Sequence, residues 1–245
     1  MTPYLKIRSL SKRFNDTWAL HAIDLDVKKG EVFGIIGPSG AGKTTLLRLI
    51  ATLERPSEGA IQFDGIDLNG LSDKEILMIR RRMGFVFQNP TVFKRSVYEN
   101  VAYGLKIRGE RGITLSKKVK EALHLVGLSE LESRNAPTLS GGEAQRLALI
   151  RTTIVEPELL LLDEPTANLD PANVALFEDA ISEIVKTQGT TIVIATHNMF
   201  QAERLADRVG FLLDGDLVEV AETDKIFRDP KDERTRSFVK GEMIC

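Results

Sequence analysis

Residues 37–44 read GPSGAGKT, and no other stretch of this 245-residue chain narrows its fold as far. The segment before it, EVFGIIG, is short and apolar, the pattern of a buried strand. The segment after it, TTLLRLIATL at 44–53, returns apolar residues at helical spacing. Strand, glycine-rich turn and helix in that order place bare backbone N–H groups at the positive end of a helix, where phosphate is held. The match to G-x-x-x-x-G-K-[ST] gives the positions duties. Gly37, Gly40 and Gly42 let the backbone close on phosphate without Cβ clashes, and Pro38, Ser39, Ala41 and Thr45 complete the cradle. Lys43 brings charge to the β and γ oxygens, and Thr44 offers a hydroxyl to Mg2+. A nucleoside triphosphate site is expected here.

Charge excludes some partners. The 33 basic and 35 acidic residues leave a net charge of −2, with no tail or block of one sign, so no nucleic-acid or acidic-membrane footprint is expected. The largest basic cluster, Arg80-Arg81-Arg82, reads as the solvated face of a helix. The single cysteine, Cys245, can form no disulfide within the chain and is expected to take no part in catalysis. No apolar run approaches the ~18–20 residues that span a bilayer, and the N-terminus does not read as a signal peptide. A soluble, cytoplasmic protein is expected, meeting a membrane only through partners.

The remaining pattern reads as one α/β domain over 1–245. Residues 4–8 and 19–27 alternate as half-buried antiparallel strands, and 60–68 (AIQFDGIDL) adds a strand-rich piece turning at Asp64-Gly65. RMGFVFQ at 82–88 is another β-rich run, closed by Gln88. Residues 96–134 are helix formers punctuated by glycines, a helical insertion placed at about 91–138. ELLLLDEP (158–165) and TTIVIATH (190–197) are continuous apolar runs, with an amphipathic helix at 174–187 between them, which argues for a mostly parallel sheet. GFLLDGDLVEV reads as a hairpin about Asp214-Gly215.

Two acids end the first apolar run. In a phosphate-loop protein an acid there holds Mg2+ through a water, which assigns Asp163; Glu164 is then placed as base for an attacking water. LSGGEAQR at 139–146 is a second anion-holding phrase, a serine and two glycines running into helix formers.

LSGG-x-x-QR between a phosphate loop and Asp-Glu at a strand end resembles the signature of ATP-binding-cassette (ABC) ATPases. The resemblance covers nearly the whole chain, with Gln88 in the place of the Q-loop, NLD at 168–170 as the D-loop, and His197 as the switch histidine. It implies a P-loop core with a mostly parallel sheet, an N-terminal antiparallel β subdomain and a helical insertion. It also implies head-to-tail cassette pairs in which Ser140, Gly141 and Gly142 bind the γ-phosphate of ATP held by the other subunit. Gln88 is implied to contact Mg2+ or the attacking water, His197 to hydrogen-bond the γ-phosphate, and Asp170 to align Glu164 across the dimer. Phe14 occupies the position of the adenine-stacking aromatic, with Trp18 the competing stacker. The family pattern usually has Gln at 143 and Ala or Gly at 168; this chain has Glu143 and Asn168, and no loss of function is expected from either.

A cassette with no span of its own is expected to energise separate membrane permease subunits, a solute-binding protein acting indirectly, and the resemblance implies that the pair of cassettes is a homodimer. FVFQNPTVFKRSVYENVAYGLKIRG resembles importers of small polar solutes, and THNMFQAERLADRVGFLLDGDLVE with FVKGEMIC is most similar to tungstate importer cassettes. Molybdate, phosphate and a polar amino acid stay open as solutes. Two other classes stay open too: a non-transport cassette ATPase acting on DNA or ribosomes, and a scaffold that binds ATP without turnover.

Overall fold

The alternating N-terminal sequence folds as a long antiparallel hairpin, β1 (Leu5–Phe14) and β2 (Thr17–Val27), in a computed structural model that describes residues 3–242. Cys245 and the end of FVKGEMIC lie outside the described residues. The hairpin is longer than the alternation predicts because Ser9 and Ala22 take positive φ (45° and 44°) and shift the register, which hides the period of two. β3 (Val32–Ile36) is buried throughout and feeds the cradle and α1 (Lys43–Ile50). β4 (Glu58–Phe63) and β5 (Ile66–Asp67) flank the turn at Asp64-Gly65 and extend the hairpin into a four-stranded sheet, order β2-β1-β4-β5.

α2 (Asp73–Arg80) follows, then β6 (Met83–Val86), α3 (Val97–Ile107), α4 (Gly112–Leu125) and α5 (Gly141–Thr153). β7 (Leu159–Asp163), α6 (Pro171–Gln188), β8 (Thr191–Thr196) and α7 (Met199–Leu205) alternate as expected. β9 (Arg208–Leu213) and β10 (Asp216–Glu222) make the last hairpin, before α8 (Thr223–Arg228) and α9 (Glu233–Val239). The second sheet runs β10-β9-β3-β8-β7-β6, with β9, β3, β8, β7 and β6 parallel and only β10 antiparallel.

This sheet is covered on both faces, which is why its strands read as unbroken apolar runs. Leu159 and Leu161 of β7, with Val193 and Ala195 of β8, pack toward α1 and the four-stranded sheet. Leu160, Leu162, Ile192 and Ile194 pack the other way, onto α3, α4, α5 and α6.

Arg82 corrects one expectation. It is not on a solvated helix face. It leaves the end of α2, lies over the Phe63 ring and donates to Glu158 (2.7 and 2.8 Å) and Asp64 (2.5 Å). Tyr4 donates to the same Glu158 at 2.5 Å, so one carboxylate ties the antiparallel sheet to the lower ends of β6 and β7. The Arg82 guanidinium holds Glu158 at about 2, below its ordinary 4.5. A depressed carboxylate contributes stability above its unfolded pKa, lost as pH falls toward the folded value. Glu158→Gln should therefore lower Tm at pH 7 by roughly 2–4 °C, about 1 kcal/mol after screening of a half-exposed pair. The gap between variant and parent should narrow below pH 4.5 and close near pH 2; a constant gap across a pH series of melting curves would refute this account.

Candidate active site

Parallel registers set the site. Ile36 pairs with Thr196, Asp163 with Ala195, and Val86 with Leu162, so four strands end together. The residues that follow them, Gly37, His197, Glu164 and Gln88, emerge along one carboxyl edge, where open α/β sheets place their ligands. Gln88 lies two residues past the end of β6 and is exposed, rather than closing the strand. A cavity of about 340 Å3 opens at this edge, lined by Ala19, Ser39, Gly40, Gly42, Lys43, Thr44, Thr45, Gln88, Glu164 and His197.

Two of the cradle glycines are required by their surroundings. A Cβ on Gly37 would stand 2.1 Å from the Leu212 carbonyl oxygen of β9, and one on Gly42 would stand 2.7 Å from that of Ala19. Gly42 also has φ 103°, a value that L side chains rarely take. The loop is pinned by Ala41, whose N–H donates to Pro38 and whose carbonyl accepts from Gly215 at 3.1 Å. Lys43 starts α1 and curls back, its Nζ donating to the carbonyls of Gly37 (2.7 Å) and Pro38 (2.9 Å) and lying 3.4 Å from Glu164 Oε1. The ammonium is thereby held between two cradle carbonyls and the Glu164 carboxylate.

Thr44 Oγ1 donates to Asp163 Oδ1 at 2.8 Å. Burial pushes the Asp163 carboxyl above its usual value, which marks a carboxylate enclosed more deeply than its protein partners compensate. Glu164 is held in a left-handed conformation, φ 45°, with its N–H donating to Ala195 at 2.8 Å. Such a non-glycine backbone costs on the order of 1–3 kcal/mol and clusters at functional sites. The turn delivers the carboxylate between two groups: Oε1 faces Lys43, and Oε2 accepts from His197 Nδ1 (2.7 Å) and the His197 backbone N–H (3.2 Å). Because an ionised carboxylate only accepts, Nδ1 carries the imidazole proton in this arrangement.

The expected signature residues stand elsewhere. Ser140, Gly141 and Gly142 form the first turn of α5 and are not among the walls of the cavity. Ser140 caps the helix, accepting from the Glu143 N–H at 3.3 Å, while the Glu143 carboxylate accepts from the Ser140 N–H at 2.7 Å. This reciprocal box works with Glu or Gln at the third position, so Glu143 leaves the turn intact. Phe14 and Trp18 also lie outside the cavity wall, on the β1–β2 hairpin; Phe14 is exposed with Lys12 Nζ 4.8 Å above its ring, and Arg13 lies over Trp18. Asp170, expected to act across a dimer, uses both oxygens within its own chain: Oδ1 accepts from the Asn173 N–H at 3.0 Å and Oδ2 from Asn173 Nδ2 at 2.5 Å.

The wiring behind these loops leaves no local trace in the sequence. Buried Gln145 of α5 donates to the Phe87 carbonyl at 3.1 Å, next to Gln88. Arg151, two turns further along α5, donates to Thr91 at 2.7 Å, and buried Asn100 of α3 grips Phe93, Arg95 and Ser96. These partners are 58 and 60 residues apart for the α5 pairs, and no local spacing signals them.

A family model described as ABC transporter matches residues 20–167, more than half the chain and including the cradle, the signature turn and the Asp163-Glu164 pair. The chain belongs to the ABC transporter family. It is an ATP-binding, ATP-hydrolysing cassette of that family. Among ABC transporter relatives, the phosphate import ATP-binding protein PstB 2 of Natronomonas pharaonis is 44% identical over 98% of this chain and 87% of its own length. A probable anion import ATP-binding protein of Haloferax volcanii is 41% identical, covering 98% and 88%. The methionine import protein MetN of Haemophilus influenzae (strain 86-028NP) is 37% identical, covering 97% and 70%. Among solved ABC transporter structures, cbiO1 of Clostridium perfringens, part of the complex cbiONQ, superposes with a TM-score of 0.86 at 33% identity over 94% of this chain and 92% of that one. The dimeric cassette MJ0796 bound to ADP and Pi superposes at 0.81, with 31% identity over 89% and 98%. Among the described residues, no helix of this cassette is long and apolar enough to cross a membrane.

Proposed function

We propose that residues 1–245 act as one cassette of a homodimer that energises import of a small oxyanion, tungstate foremost, through separate permease subunits. The observation that carries the catalytic part is the placement of Glu164 between Lys43 and His197 at the cavity edge. Lys43 exchanges Glu164 for phosphate oxygens when ATP enters. Glu164, no longer paired to the ammonium, takes a proton from the attacking water, and His197 orients it while reaching the γ-phosphate. The cradle from Gly37 to Thr45 holds the phosphates through its N–H groups. Phe14 stacks on adenine, closing the site from the hairpin.

The donors present fit Mg2+. Thr44 and Asp163 set a hydroxyl and a buried carboxylate oxygen side by side, hard oxygens of the kind that ion takes, and Gln88 faces the same cavity. When bound, Mg2+ neutralises phosphate charge. Thr44, Asp163 and Gln88 would hold the ion on the protein side, leaving the rest of its shell to oxygens from outside the chain.

Ser140, Gly141 and Gly142 serve the ATP of the partner cassette, which explains two anion-holding turns in one chain. The dimeric state of MJ0796 supports this reading. The permease is received by the segment 91–138: Phe87 beside Gln88, and Phe93, Tyr103 and Ile107 beyond it, are exposed apolar side chains on a surface that needs a cover. A cassette so docked lies peripherally on the inner face of the membrane. The relatives that import phosphate, an anion and methionine support import, and two of the three support an anion. The solute rests on the sequence resemblance to tungstate cassettes, with phosphate and molybdate as rivals.

Uptake in source cells whose only copy carries Glu164→Gln tests this directly. Tungstate accumulation should fall to background while phosphate and molybdate are unchanged. Loss of phosphate uptake instead would reassign the solute, and unchanged uptake of all three would remove the oxyanion reading.

A further inference from the structure

Asn173 stands in the first turn of α6, three residues after Asp170, where helix capping asks only for its backbone N–H. Its side chain does more. Nδ2 donates to Asp170 Oδ2 at 2.5 Å, and Oδ1 accepts from the Arg146 guanidinium of α5. Arg146 is buried and its Nε has no hydrogen-bond partner, so the bond from its Nη1 to Asn173 is the polar anchor of that guanidinium. The Asn173 amide also lies against Gly142: a Cβ built there would stand 2.5 Å from Asn173 Cγ. Gly142 is helical and of ordinary φ, so the glycine is required by Asn173 and not by its own backbone.

An amide is well suited to this place. It accepts from a cation with one atom and donates to a carboxylate with the other, within a single short side chain. Aspartate could serve Arg146 but would oppose Asp170. Leucine, of similar size, could serve neither.

We propose that Asn173 is a positioning residue that locks the signature turn, Ser140–Gly142, to the loop at 168–170, so that the two move as one body. Resting on the cross-dimer reading above, the lock has a use. The signature turn meets the partner's ATP and the 168–170 loop lies next to it in the same interface, so closing one on ATP seats the other. Asn173 touches neither ATP nor water; it acts through Arg146, Gly142 and Asp170.

The test uses the full chain with Asn173→Leu and Asn173→Asp. Amide hydrogen exchange, measured without nucleotide, should rise in Asn173→Leu at both 139–146 and 168–174. In Asn173→Asp it should rise at 168–174 while 139–146 stays protected. Steady-state kcat should fall about tenfold in Asn173→Leu, the loss of about one charge-assisted hydrogen bond in the closed state. It should fall less in Asn173→Asp, with binding of a fluorescent ATP analogue to the single subunit unchanged in both. Faster exchange confined to 171–175, or an unchanged kcat, overturns the lock. If Glu164→Gln never dimerises with ATP, the cross-dimer reading fails instead, and the nucleotide-free exchange pattern still decides whether Asn173 joins the two elements.

Discussion

Glu164→Gln should cut ATP turnover by about 10²–10⁴-fold, the usual weight of a positioned general base, and leave ATP binding intact. Gln has the shape of Glu but neither accepts a proton nor carries charge. The turn that presents it is fixed by the backbone, through the Glu164 N–H to Ala195 and the left-handed φ, so the side chain still arrives at the same place. Lys43 keeps its bonds to the Gly37 and Pro38 carbonyls and loses only a competitor for phosphate. ATP affinity should hold or improve, and the cassette should persist as a closed dimer because the step that reopens it is blocked. Phosphate release and size-exclusion chromatography with ATP and Mg2+ read the two effects separately. Turnover at the parent rate would show that Glu164 is not the base. A dead variant that remains monomeric with ATP would keep Glu164 as the base and overturn the cross-dimer reading.

The parts of this site legible in the sequence are those whose geometry is local. GPSGAGKT lies between one buried strand and one helix, and the φ of 103° at Gly42 belongs to that turn itself, although the backbone that crowds Gly37 and Gly42, at Leu212 and Ala19, comes from other strands. Asp163, Glu164 and His197 were legible because the strands carrying them are buried on both faces and end in polar residues, so their edges show as abrupt changes in the sequence. α2 was not. Its Ser72–Glu75 capping box is present in the sequence, but of its residues only Ile79 is buried, while Leu77 and Met78 face solvent, and no apolar stripe marks it. Long-range partners were also hidden. Arg82 looks like one of three surface arginines until β6 and β7 bring Glu158 beside it, 76 residues away. Asn173 looks like an ordinary helix-start residue until α5 is packed against α6.

Gly141 carries the second large effect, because its own chain gives no reason for a glycine. Its φ is ordinary, and among the described residues nothing lies within 4 Å of a Cβ built on it. Gly142 one residue later is hemmed in by Asn173, and Gly37 by Leu212, but position 141 has room for a side chain in the isolated subunit. What a side chain would meet there must come from outside the chain, and the proposed partner ATP is such a body. Gly141→Asp should therefore leave the unfolding free energy within about 0.5 kcal/mol of the parent, as for a surface change, since an acid in the first turn of α5 also suits the helix dipole. ATP binding to the single subunit should be unchanged, because its cradle is untouched. Turnover should collapse by at least about 10²-fold, a carboxylate now opposing the γ-phosphate where a donor is needed. Mixing makes the assignment sharper. A chain with Lys43→Ala has a dead cradle and a sound signature; Gly141→Asp has the reverse. Neither pure protein should turn over, yet their mixed dimer contains one composite site with both halves intact, so phosphate release should reappear on mixing, up to about a quarter of the parent rate if twofold-related sites work independently. If Gly141→Asp alone keeps the parent rate, the signature turn does not touch the reacting phosphate, and each cradle works without its neighbour.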